Sequence, residues 1–151
     1  MLDDIDRRLL RHLMADPAMA TSALANRAGV SPAVAARRLD RLRDSGALRG
    51  IRAAIDWAAL GYQVEVSLRF TLDKTVATAF DDFLAAARAV PEVLEIQTFL
   101  GRVDVRLSIV ARDMAHYQQI YRQKILALPH IADIESLMEL ARIKTAGQLP
   151  I

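Results

Sequence analysis

The chain has 151 residues, 53% of them hydrophobic and 25% charged, with a formal net charge of +2. That apolar share excludes a disordered chain, and the length admits one large domain or two small ones, each with its own core. The absence of cysteine excludes a disulfide framework, a thiol nucleophile and a thiolate metal site. An acidic opening, Leu2 to Asp6, and the lack of any apolar run of membrane-spanning length predict an unexported, cytoplasmic protein with no membrane partner.

A first helix is expected after Asp3 or Asp4, with Ile5, Leu9, Leu10, Leu13 and Met14 as its apolar stripe, stopped at Asp16 and Pro17. Residues 21–46 then read as two short helices about a turn. Ser31 can accept a backbone N–H at the second helix start, Pro32 suits its first position, and Gly46 suits the left-handed residue beyond its end. Ala35, Leu39 and Leu42 form the inward stripe, which leaves Ala33, Val34, Arg37, Arg38 and Arg41 facing outward.

Such an arrangement is that of a helix-turn-helix reader. Between residues 27 and 52 seven arginines face two aspartates, a local basic excess of the kind that meets double-stranded DNA. The DNA-contacting set is therefore Ser31, Ala33, Val34, Arg37, Arg38 and Arg41. Residues 48–56, β-branched around Gly50, predict a small wing hairpin, and Trp57 to Gly61 a connector.

Beyond the connector the period changes. Val64, Val66, Leu68, Phe70 and Leu72 alternate with polar residues as a strand with one apolar face. Thr75 is the expected cap of a helix bearing Val76, Phe80, Phe83, Leu84, Ala87 and Val90, ended by Pro91. Strands over 93–100 and 103–110 turn at Gly101. Asp113 caps a helix bearing Met114, Tyr117, Tyr121, Ile125 and Leu128, and a last strand runs over 131–143.

The predicted fold class is α+β: a winged helix-turn-helix domain with connector over 1–60, and a ferredoxin-like β-α-β-β-α-β antiparallel domain over 61–151. The last strand is apolar on both faces, with Ile134, Met138 and Leu140 on one and Leu137, Ala141 and Ile143 on the other. That pattern predicts a homodimer covering the second face. Polar positions Glu65, Arg69, Arg106 and Ser108 alternate with the core residues and must find partners if buried.

With this order, the stretches Leu2 to Leu10, Leu24 and Ala25 with Gly29 to Pro32, Arg38 to Leu42 with Gly46 and Gly50, Gly101 to Asp104, and Asp113, Met114 and Tyr117 resemble the leucine-responsive regulatory protein/AsnC family of transcription regulators. The resemblance implies dimers that often assemble into octamers. It also implies an amino acid or related metabolite bound between subunits near the Gly101 hairpin, lined by Thr98, Leu100, Gly101, Arg102, Asp104, Met114, Leu137, Met138 and Glu139. Two positions depart from the family pattern. Arg102 replaces an acid, and Glu139 stands where a small or apolar residue is usual, which points to a ligand of different charge or to no ligand.

For Asp104 the alternatives are an acceptor for a ligand ammonium and a hairpin Asp bonded to nearby backbone. Arg102 is either a carboxylate clamp or an exposed hairpin charge. No cofactor and no metal is expected, since His12, His116 and His130 are scattered without ligand spacing. The aromatic and Met positions Phe80, Phe83, Tyr121 and Met114 are expected in the core. An enzyme similar to haem-pathway decarboxylases, using His116, His130, Arg102 and Arg106, is the alternative from another class, and a nucleoid-type architectural binder is the third.

Overall fold

The computed structural model describes residues 2–141 and 143 and divides into two compact units, the first built from residues up to Ala54 together with Ile143, and the second from the described residues between Ile55 and Ala141. In the first unit α1 (Asp4–Ala15), α2 (Thr21–Ala28) and α3 (Pro32–Asp44) surround Leu9, Leu13, Leu24, Ala25, Ala28, Ala35 and Leu39. Ala25, Ala28 and Ala35 are buried, and their small side chains let α2 and α3 approach closely. Gly29 closes α2 at φ 69°, a left-handed conformation that costs a residue with a Cβ about 1–2 kcal/mol. The expected caps form. Asp3 accepts the Asp6 N–H at 3.0 Å while Asp6 accepts the Asp3 N–H at 3.2 Å, and Ser31 accepts the Val34 N–H at 3.3 Å.

The wing hairpin is a correction. Among the described residues no strand lies between α3 and residue 64. Ile51 and Ile55 are exposed and only Leu48 packs against the core, so the segment has no apolar side to bury and no partner edge to pair with.

The second unit orders β1 (Val64–Leu72), α4 (Ala79–Arg88), β2 (Val93–Thr98), β3 (Val105–Ala111), α5 (Met114–Ile120) and β4 (Ile131–Met138), with a π turn at Tyr121–Ile125 prolonging α5. The sheet order β2-β3-β1-β4, antiparallel throughout, is the ferredoxin-like one. Val66, Leu68, Phe70, Leu72, Val105, Leu107 and Ile109 form its inner face and pack against Phe83, Ala87, Ile120 and Ile125 of the helices. Asp113 caps α5 by accepting the His116 N–H at 2.7 Å.

Three expectations change. Thr75 does not cap α4: its N–H and hydroxyl both donate to Asp73 in an Asx turn, so the helix begins three residues later, after Thr78. Phe80 consequently lies in the first turn of α4, and Met114 opens α5; both are exposed rather than in the core. β4 ends at Met138, and residues 139–141 and 143 carry no strand. Position 142 of the expected strand, and 144–151 of the expected second domain, lie outside the described residues.

Candidate DNA interface and effector site

In the first unit α3 carries its arginines on two different edges. Arg37 and Ala33 point away from the core stripe, and Arg37 is exposed with no carboxylate partner among the described residues. Arg38, next to that stripe, is drawn to α1. Its Nη1 forms an ion pair with Asp3 and lies 3.4 Å from Asp6, and Arg41 Nη2 reaches the other oxygen of Asp6 at 2.5 Å. The Asp6 side chain is 0% exposed, against 20% for Arg38 and 55% for Arg41. Its burial is tolerable because both oxygens accept charged or backbone donors. Asp3, bonded by the Asp6 N–H and then by Arg38, is lowered to a pKa of about 2.

This changes the charge reading of the sequence. Arg38 and Arg41 are balanced by α1, and Arg43 by Asp40 at 2.8 Å. Arg27, Arg37, Arg49 and Arg52 remain without a carboxylate among the described residues. Asp3 and Asp6 are the partners of Arg38 and Arg41 that the sequence reading missed. The signal was present as a pair of acids three apart in α1 and a pair of bases three apart in α3.

In the second unit the hairpin after β2 is held by its own polar groups. Asp104 Oδ2 accepts the Leu72 N–H at 2.9 Å, Oδ1 lies 3.4 Å from Lys74 Nζ, and the Thr71 hydroxyl donates to the Arg102 carbonyl at 3.0 Å. Gly101 sits at φ 153° at the tip, beside a fully exposed Leu100. Beneath the hairpin Arg69, Gln97, Phe99, Leu100, Arg102 and Arg106 line a concavity of about 450 Å³. On the outer face Arg106 pairs with Glu95 at 3.2 Å and Arg69 with Glu135 at 3.6 Å, while Ser108 donates to Glu65 at 3.4 Å. These outer-face positions thus find partners within one chain, although the buried Nε of Arg106 has none among the described residues.

Within one chain the nine expected effector residues fall into two groups. Thr98, Leu100, Gly101, Arg102 and Asp104 gather at the hairpin end, where Val105 pairs with Phe70. Leu137, Met138 and Glu139 lie toward the opposite end, where Met138 pairs with Val66, and Met114 follows β3 there. Val66 and Phe70 are four strand positions apart, about 13 Å. Glu139 instead shares a recess of about 340 Å³ with Trp57, Tyr62 and Glu65. The histidines of the enzymatic alternative do not meet its arginines. His116 Nδ1 accepts the Arg112 N–H at 3.1 Å, His130 bonds Asp82 at 2.9 Å, and no histidine lines the concavity.

A capped helix-turn-helix joined to a ferredoxin-like sheet with a recess at its hairpin defines a DNA-binding transcription regulator with a separate ligand-binding domain. Residues 2–43 match the AsnC-type helix-turn-helix domain and residues 65–149 the Lrp/AsnC ligand binding domain. The chain belongs to the Lrp/AsnC family. It is 31% identical to the proline dehydrogenase transcriptional activator of Rhodobacter capsulatus, over 95% of this chain and 93% of that one. It is 28% identical to the DNA-binding transcriptional activator DecR of Escherichia coli K12, over 100% and 99%. Its fold superposes on a Neisseria meningitidis transcriptional regulator solved in complex with L-Met, with a TM-score of 0.91, 27% identity, and 99% and 97% of the two chains covered.

Proposed function

We propose that this chain is a cytoplasmic, sequence-specific transcription regulator without catalytic activity. Ser31, Ala33, Val34 and Arg37 of α3 meet bases and the adjoining backbone of the operator, and Arg38 and Arg41 lie along its phosphate edge. The observation that carries this reading is α3 itself, a helix capped by Ser31 with Ala33 and Arg37 open to solvent.

The working unit is a homodimer, with dimers assembling into octamers, and its effector is an amino acid or related metabolite held between copies. Thr98, Leu100, Gly101 and Arg102 come from one copy, with Asp104 bracing their hairpin, and Met114, Leu137, Met138 and Glu139 from another. Support comes from the separation of the two groups in a single chain, which is beyond the reach of one amino acid, and from the regulator solved with L-Met. Cytoplasmic residence is the compartment in which a DNA reader of this family works.

Immobilised full-length protein should retain a small set of genomic fragments sharing a roughly palindromic element, with half-sites about one helical turn apart or a multiple of it. Retention of fragments at random would refute sequence specificity. A thermal-shift screen of amino acids and related acids, repeated with Arg102→Ala, checks the effector site: a ligand bound there loses its shift in the variant. A shift that survives the substitution places the ligand elsewhere.

A further inference from the structure

The first unit pairs its reading helix with carboxylates before any DNA arrives. Arg38 and Arg41, three residues apart on α3, are met by Asp3 and Asp6, three residues apart at the start of α1. The acids are rigidly held, since each accepts the other's backbone N–H. They also sit at the helix end where negative charge is favoured. A carboxylate holding a guanidinium offers the same paired acceptor oxygens as a DNA phosphate. Both arginines nonetheless keep part of their surface in water, Arg41 more than half, so a phosphate can reach them.

We propose that Asp6, with Asp3, is a built-in phosphate mimic that occupies Arg38 and Arg41. It holds down binding to DNA at large and leaves discrimination between sequences to Ala33, Val34 and Arg37. Asp6 is in these terms a positioning residue: it touches no base and acts through the two arginines. The inference rests on α3 being the DNA-reading helix. Without the acids, two more cations would face the backbone of any duplex. With them, a phosphate contact at either arginine must displace a resident carboxylate, so the affinity gained without regard to sequence is small.

The test is full-length Asp6→Asn, which keeps the shape and one acceptor oxygen but not the charge. Binding is measured from 50 to 200 mM salt on a genomic fragment that the wild type selects and on a scrambled duplex of equal length. Affinity for the scrambled duplex should rise, and the slope of log affinity against log salt should steepen by about 0.9 for each arginine released. Each such contact adds about a 3.5-fold loss over that salt range. The ratio of selected to scrambled affinity should fall. Asp3→Asn, which keeps a good helix cap, should move all three readouts the same way by about one contact, and it carries the test if circular dichroism finds Asp6→Asn unfolded. A folded variant with an unchanged slope, or one losing affinity for both duplexes in parallel, overturns the mimic and leaves Asp6 a packing residue. A wild type that selects no fragment overturns the assignment of α3 and the mimic with it.

Discussion

Asp104→Ala separates a structural carboxylate from one held open for a ligand. In the present geometry one oxygen accepts the Leu72 N–H at 2.9 Å at the end of β1, where the pairing with β4 slips register. Removing it leaves a largely buried backbone donor unpaired, at about 1–3 kcal/mol. The Lys74 contact at 3.4 Å is to a side chain 67% exposed, and screening reduces it to less than about 0.5 kcal/mol. The sum is about 2 kcal/mol, nearly all from one hydrogen bond. With a urea dependence of about 1–3 kcal/mol per molar, the unfolding midpoint should fall by about 1 M at unchanged slope. Lys74→Ala should barely move it, and Asp104→Asn, which keeps an acceptor oxygen, should recover most of the loss. An Asp104→Ala midpoint equal to that of the wild type would refute the reasoning and free the carboxylate for a ligand ammonium.

Gly29→Ala meets no obstruction, since a Cβ there would lie 3.7 Å from Arg8, so its cost is the left-handed backbone alone, about 1 kcal/mol in denaturant unfolding; no loss would mean that the turn relaxes. Asp3, lowered from 3.8 to about 2, stabilises the fold fully above its unfolded value and loses that contribution as pH falls from about 3.8 to 2. Arg38→Gln should flatten that part of an acid titration followed by circular dichroism, and an unchanged curve would contradict the pairing. Lys124→Met removes a double contact of 2.6 and 2.8 Å to Glu92, whose carboxyl burial pushes up but Lys124 pulls below its usual range. A loss of about 1 kcal/mol is expected, measured by urea unfolding at neutral pH and vanishing in acid. Leu100→Asp, at a fully exposed tip, should leave secondary structure intact and reduce the assembled mass in light scattering; an unchanged mass removes that tip from the interface between copies.

Elements whose signals are local were readable from the chain. The alternation from Val64 to Leu72 became β1 with those five residues on its inner face, and Asp113 and Ser31 became caps because each needs only a donor three residues ahead. Local competition explains the misses. Asp73 captured Thr75 before it could cap a helix, and Gly50 and its exposed neighbours had no edge to pair with. The site was harder to read, since Arg38 and Arg41 find their acids 32 to 35 residues upstream. A charge count confined to residues 27–52 could not include them. Arg69, Gln97 and Arg106 reach the hairpin concavity only through sheet pairing, because Arg69 stands opposite Arg106 in the register and Gln97 flanks it.

The carboxylates that meet Arg38 and Arg41 of α3 belong to α1 and its cap. On the proposed roles of the α3 positions and of Asp6, two hereditary dials exist in so small a unit. A lineage can drift in what it recognises by changing positions 33, 34 and 37, while the acids of α1 stay as they are. It can also adjust to a larger genome, or to a change in its own cellular abundance, by altering an aspartate near its first residues without rewriting the sites it already recognises. Duplicated genes carrying this arrangement would be expected to part company first in α3, and only later in the opening turn of α1.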